Sequence, residues 1–385
     1  MSRSARTHLL LGVVAALTLT ACGGSTTSGP RVAAPPSAAS NGEGIAGKDR
    51  MIVAWCERFG APSPTSADGK VHRITVAALS PTDGSPIARR TVTLPERGSV
   101  DALCGEPRST TEAADRALFN ADFTLIAGTA PGPGGALSAM AFALTDGAPR
   151  GGTAATAGGD SAPAFQSGTS VLWYETGEQQ VTSRDLGDPA AAPKQHGAAP
   201  GPDFVLSGDQ PWLTRPLESK PDQVAISPDG AVAAGASSTV WRRTDPPAPY
   251  ALWYVEPMAL GRSGNGRASL PGSEQVPRCE PSRWTSDVTL LCNGGDNLLL
   301  LTFSADRGRL DTMTTLLPVA TSRVVESVAV SPDGRSLAYL VDEDGETGLY
   351  RLDLTPGARP VEIAPVDLPP AGVVNPLTPR LIAWL

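Results

Sequence analysis

From about residue 47 onward the chain is written in short runs of Val, Ile, Leu, Thr, Trp and Tyr, each bounded by Gly, Pro and Asp. Apolar runs of this length with turn residues at both ends predict β-strands. Helical periodicity is rare, and STTEAADRALF (109–119) is its best instance. One stretch, VAVSPDGRSLAYLV (328–341), reads as strand, turn, strand, and VAISPDGAVAAGAS writes the same thing with Ser227 in place of Ser331. In both copies Ser227 or Ser331 opens the turn and Pro228 or Pro332 presets φ. Asp229 or Asp333 bonds its own backbone, and Gly230 or Gly334 supplies a positive φ.

The two copies are 104 residues apart, long enough for two small β units. Weaker copies fill the interval and extend beyond it. RWTSDVTLLC puts Trp284 in the Ser331 position, FQSGTSVLW starts at Phe165, FNADFTLIA at Phe119 and GKDRMIVAW at Gly47, and PLTPRLIAW follows near Pro376. The spacings along the chain are 72, 46, 62, 57, 47 and 45 residues. A second series of turns runs in step with the first, ending at Gly84, Gly147, Gly187, Gly261, Gly308 and Gly357. One unit therefore reads strand, SPDG-like turn, strand, variable loop, strand, Gly turn, short edge strand. A four-stranded meander of this size cannot bury both faces alone and must stack on its neighbours.

VAVSPDGRSLAYLV followed by GLYRLDL resembles the repeat of TolB-type and WD-repeat-like bacterial β-propellers, in which Pro-Asp-Gly turns between the two inner strands of a blade. The resemblance implies an all-β propeller over residues 47–385. No length remains for the separate α/β domain of TolB, so the resemblance transfers fold and says little about partner. Gly47 opens on the second strand of a unit, and PRLIAWL at the other end is a lone strand. If PRLIAWL completes the first unit from the inside, the ring closes with six blades and leaves no open edge. A further degenerate unit inside 47–118 would make seven. Trp384 then aligns with Tyr339 and Trp173, positions expected to pack between blades.

The N-terminus changes the picture by giving the chain an address. Arg3 and Arg6 precede an apolar run, Leu9 to Ala21, that fits a secretory signal and is too short to span a bilayer. It ends Leu19-Thr20-Ala21-Cys22-Gly23-Gly24, which resembles the lipobox of bacterial lipoproteins. That resemblance implies cleavage after residue 21, a diacylglyceryl thioether on Cys22 and acylation of the new N-terminus, and several acyl chains anchor stably. Residues 22–46 follow as a flexible tether of Gly, Ser, Pro and Ala. The mature chain carries 29 basic and 39 acidic residues, which argues against nucleic acid and anionic headgroups as partners. The expected location is the extracytoplasmic face of the cell membrane, held by the lipid on Cys22, with a monomeric body.

Four cysteines remain, an even number in an exported chain, and there is no CxxC pair to begin a zinc site. In the repeat alignment Cys279 and Cys292 match Glu326 and Tyr339, on either side of the SPDG turn, and are expected to face each other across a ladder. Cys56 and Cys104 are expected to form the other bridge, between adjacent blades. No cofactor or metal is expected. GRSGNG (261–266) misses the GxSxG elbow at Asn265. His72 reads as a strand-face residue and His196 as a surface imidazole in a loop. DEDGETG (342–348), with Asp342 and Asp344, lacks the oxygen ligands of a calcium loop and reads as a hairpin turn. Trp173 and Tyr174, and again Trp253 and Tyr254, suit packing between blades better than a sugar platform.

With Val, Ala, Leu and Ser expected along the inner strands, no catalytic group is expected there. The chain reads as an envelope lipoprotein whose propeller binds a protein partner. The alternative is a propeller that binds carbohydrate or wall fragments, or an enzyme, at its central channel. Replacing Cys22 with Ser is expected to release the protein from the membrane fraction or leave the precursor uncleaved. Detergent-phase partitioning reads this, and unchanged partitioning would contradict the lipid anchor.

Overall fold

The computed structural model describes residues 44–385 apart from 60–70, 96, 106–110, 133–134, 152–158, 189, 199–203, 208–209, 214–222, 236–237, 243–257, 262–267, 278, 321, 344–345, 356 and 365–377. The Cys22 lipidation site, the tether up to residue 43, Trp253, Tyr254, Asp344 and Asn265 lie outside the described residues. Among those described, the chain folds as a six-bladed β-propeller.

Strands β1 (Met51–Phe59), β2 (Val71–Leu79) and β3 (Pro86–Thr93) begin the first blade. Two short helices follow, α1 (Asp101–Cys104) and α2 (Glu112–Ala117). The second blade holds β4 (Leu125–Pro131), β5 (Leu137–Ala143) and β6 (Pro149–Arg150). The third holds β7 (Ser161–Phe165), β8 (Val171–Glu175), β9 (Gln180–Asp185) and β10 (Lys194–Ala198). A separate hairpin, β11 (Phe204–Ser207) and β12 (Gln210–Leu213), precedes the fourth blade of β13 (Ala225–Ile226), β14 (Val232–Gly235), β15 (Thr239–Arg242) and β16 (Met258–Ala259). The fifth is β17 (Glu280–Ser286), β18 (Thr289–Asn293), β19 (Leu298–Phe303) and β20 (Leu310–Leu317). The sixth is β21 (Arg323–Val330), β22 (Ser336–Glu343), β23 (Glu346–Asp353) and β24 (Val361–Ala364). Last comes β25 (Arg380–Trp384), which returns to the first blade and pairs antiparallel with the inner edge of β1.

The closure extends past the strand itself, since Leu385 N–H donates to Arg50 C=O at 2.8 Å and Arg50 N–H donates back at 3.2 Å. Leu381 N–H donates to Ser327 Oγ at 2.7 Å, tying β25 to β21 of the sixth blade as well. Met51, Val53 and Leu381 bury themselves with Ala329, Leu340 and Leu349, so the first and sixth blades share one apolar cluster against which Trp384 packs. The same construction repeats around the ring. Ile74, Val76 and Ile382 meet Phe119, Phe123 and Phe142 between blades one and two, and Trp284, Leu290 and Phe303 meet Val232 and Val240 between five and four. The apolar side chains are buried in the seams between blades.

Both SPDG turns form the same hydrogen-bonded unit. Gly334 has φ 69° and Gly230 φ 68°. Asp333 Oδ1 accepts from Ser331 Oγ at 2.7 Å and from Arg335 N–H at 3.1 Å, and Asp229 Oδ1 accepts from Ser227 Oγ and Ala231 N–H at the same distances. These donors hold Asp333 below the usual Asp range; at Asp229 burial opposes the shift, and the Arg307 hydrogen bond, followed by those of Ser227 and Ala231, holds the carboxyl below it. Between β17 and β18 the connection shrinks to Asp287 and Val288. Trp284 is therefore a buried strand residue and not the turn residue its alignment with Ser331 predicts.

The second blade departs furthest from the repeat. The segment that elsewhere forms the innermost strand is here α2, and it rejoins the sheet only at a bridge from Phe119 to Ile126. Residues 111–118, TEAADRAL, have no β-branched residue after Thr111, whose Oγ1 caps the helix by accepting from Ala114 N–H at 3.2 Å. Removing residues 378–385 would unpair β1 and uncover Leu381 and Ile382, each fully buried. At about 2 kcal/mol for each such side chain the loss exceeds roughly 4 kcal/mol before any hydrogen bond is counted. The truncated protein is expected to aggregate or unfold far below the intact one, read by thermal unfolding.

Candidate functional site

Where the blades converge, α2 takes the axis. It packs against β25, β21, β17, β7 and β11, strands that reach it from several sides of the ring. Its acidic residues are engaged by those strands. Glu112 pairs with Arg283 of β17 and accepts from the Val330 N–H of β21 at 3.1 Å. Asp115 accepts from Arg380 Nη1 of β25 at 3.0 Å, with both side chains at least nine-tenths buried. One turn of helix thus ties together three blades.

These charges were not expected on the inner strands, where the repeat predicts Val, Ala, Leu and Ser. The reason lies in β-bulges. The β17–β18 ladder skips Ser282, the β21–β22 ladder skips Glu326, and β25 skips Ile382 against β1. A bulge bends the strand and re-aims the side chains around it. Arg283 follows such a skipped residue directly. Burial pushes Glu326 above the usual carboxylate range, with Asp342 adding to the shift and Arg380 opposing it. Burial likewise raises Glu112 to about 7, against the pull of Arg283 and the Val330 amide.

Beside α2 lies a cavity of about 450 Å³, within the size range of small-molecule sites. Phe165, Val205, Leu206, Val224, Ile226 and Trp284 give it apolar walls, and Glu112, Arg116, Ser282 and Arg283 give it polar ones. Arg116 donates to the carbonyls of Phe119 and Asn120 through Nη1 and to that of Ala121 through Nη2, while its guanidinium lies 4.4 Å over the Phe123 ring. The floor is unusual because a second layer, the hairpin, enters it. Phe204 of β11 packs toward Trp173 and Val181 of blade three, and Val205 toward Val224 and Trp241 beside blade four.

The cysteines form two bridges, Cys56–Cys104 and Cys279–Cys292, each with a Cα separation of 5.2 Å. Cys104 ends α1, so the first bridge pins the segment leading to α2 onto β1. Cys279 stands just outside β17, and the ladder partner of Cys292 is Pro281, so the second bridge is diagonal where a direct facing pair was expected. His72 is a buried strand residue, and one of its ring nitrogens lies within 4.8 Å of both sulfurs of Cys56 and Cys104. Sulfurs joined in a disulfide are not thiolates and offer a metal nothing comparable to a zinc ligand.

His196 is a strand residue of β10, not the loop imidazole expected from its surroundings in the sequence. Its ring stacks on Trp173 at 4.2 Å between centroids, and Nε2 lies 2.8 Å from Ser183 Oγ. Burial lowers its pKa, and Lys194 adds to the effect. This Ser–His contact joins neighbouring strands β9 and β10 and lies away from the axis. Trp173 and Tyr174 are buried, as packing between blades requires. The DEDGETG segment closes β22 onto β23, with Glu343 opposite Glu346 across the two intervening residues.

No family model matches the chain, and no curated protein matches it. Among solved structures it is similar to TolB from Acinetobacter baumannii, at 14% identity over 88% of this chain and 68% of that one, with a TM-score of 0.38. It is also similar to the Cps50 (Swd1) β-propeller domain of Myceliophteria thermophila, at 14% identity over 83% of this chain and 88% of that one, TM-score 0.30. U3-55K gives 10% identity over 78% and 91%, TM-score 0.39. The class, a six-bladed propeller closed by its C-terminal strand, rests on the sheet order and the β25–β1 pairing themselves.

Glu112 is a buried group of this arrangement whose charge state depends on pH near neutrality. Its folded value near 7 lies above the ordinary 4.5, so the fold favours the protonated form. That contribution is complete below about pH 4.5 and is lost as pH rises through 7. Arg283, Asp115 and the Asp115 partner Arg380 are the charges around it. The stability of the natural protein minus that of Glu112→Gln is expected to fall between pH 4.5 and 8, by on the order of 3 kcal/mol. Denaturant unfolding at several pH values measures this, and a flat difference would contradict it.

Proposed function

We propose that the protein is a lipid-anchored lipoprotein of the cell envelope whose propeller binds a protein partner on the extracytoplasmic side. The Leu19-Thr20-Ala21-Cys22 motif and the tether after it support the anchor. No helix among the described residues is long and apolar enough to cross a membrane. The observation that carries the binding role is that α2 stands at the axis and leaves beside it only a cavity of small-molecule size. With α2 held there by three blades, the broad faces of loops and turns are the surfaces left to a large partner. A rigid ring loses little conformational entropy when such a face is covered.

The axial cavity favours a second reading, in which the ring binds a small ligand, a carbohydrate or a wall fragment at its centre. The two readings separate in one experiment. Protein with Cys22 intact is purified from detergent-solubilised envelope beside the Cys22→Ser form, each under conditions that keep the ring folded. A single protein recovered in constant ratio with both forms is the expected result, because the ring, not the lipid, makes the contact. Recovery of no protein with either form would count against the scaffold role and leave the cavity as the site to pursue.

A further inference from the structure

The axial cavity has more definite chemistry than its size alone conveys. Arg283 gives Nη1 to Glu112 Oε1, while its Nε and Nη2 have no partner among the described residues. Its side chain is 42% exposed, so half of a planar fork is left open at a cavity that has both apolar and polar walls. A guanidinium edge with two parallel donors matches the two oxygens of a carboxylate. Around it, Arg116 contributes a positive charge with most of its donors already turned to backbone carbonyls, and Glu112, with a pKa near 7, contributes at most one negative charge, so the lining is net positive.

We propose that this cavity is a binding site for a small organic monoacid, a single carboxylate on an apolar body, with Arg283 as the residue that anchors the carboxylate. The inference rests on the second reading above, that the axis takes a small ligand, and it names the ligand's class. A cation would enter a lining that is already net positive. A phosphate dianion would place its second charge beside the Glu112 carboxylate, which shares the same guanidinium. A sugar carries hydroxyls on every side, and those facing Phe165, Val205, Leu206, Val224, Ile226 and Trp284 would lose water without replacement. A carboxylate on an aliphatic or aromatic body satisfies both halves of the site. The body displaces water from apolar walls, and the head takes the open edge of Arg283.

The test titrates the detergent-solubilised full chain with phenylbutyrate, phenylbutylamine and N-acetylglucosamine, read by calorimetry and by ligand-observed NMR. Saturable one-to-one binding of the acid, with none of the amine, is expected. Arg283→Gln is expected to weaken the acid by at least about tenfold, the least that losing a charge-assisted pair costs. Because that change also frees Glu112, a second variant fills the space and leaves the ion pair alone: Ala117→Phe, from the cavity wall, is expected to abolish binding. Equal binding of acid and amine would overturn the proposal, as would undiminished affinity in folded Arg283→Gln or in Ala117→Phe. Binding of the sugar alone would overturn it and leave the ligand reading of the axis standing, whereas binding of none of the three would remove both.

Discussion

The fold depends on the pairing of β25 with β1. Among the described residues no blade of this ring has a core of its own, since each of these apolar clusters is shared by two neighbouring blades. Such an arrangement has no natural stopping point. Every blade needs two neighbours, and a row of blades must either expose its ends or join them. Here the join is made with backbone hydrogen bonds and with the Met51, Val53 and Leu381 cluster that links blade six to blade one. The seams are unequal. Blades one and two share the largest cluster, while the passage from three to four is bridged by the thin β11–β12 hairpin, whose neighbouring residues Phe204 and Val205 face opposite sides.

At the axis the structure accepts buried charge where a propeller could have used apolar strands. Removing Asp115 and Arg380 from water costs several kcal/mol per ion, and their mutual attraction offsets this only when the geometry is good. Their role is better understood as positional. Apolar contacts around so short a helix would allow it to rotate or slide, whereas the directed bonds of Glu112 to Arg283 and the Val330 amide, and of Asp115 to Arg380, hold it in place. The Cys56–Cys104 bridge fixes the preceding segment from the other side.

Much of this was legible in the sequence because it is local. The SPDG turns are defined by four consecutive residues, and both copies fold alike down to their hydrogen-bond lengths. Ring closure could be read from an unmatched strand at each end, and the helix could be read from TEAADRAL. What was not legible depends on insertions and deletions at single positions. A shorter turn before Thr289 moved Trp284 from a turn into a strand, and Cys279, like the Glu326 it aligns with, has no direct partner in the ladder. Bulges at Ser282 and Glu326 turned the inner strands so that charged side chains, not the expected Val and Ala, meet at the axis. A periodic pattern has no means of marking the place where one residue is skipped. Nor could the pattern show that α2 would replace a strand, or that His196 would lie in β10 against Trp173.

The closure also sets an order in time. Of the described strands β1 is made first and β25 last, so the inner edge of β1 lacks its β25 partner while the five other blades are being synthesised. Such an edge is a template for any extended chain that passes by. Its contacts join the most distant parts of the sequence, the kind of pairing that forms slowly. The newborn chain is therefore most vulnerable to mispairing in the interval between the appearance of β1 and the arrival of β25. A chaperone that shields this one edge would protect the whole ring.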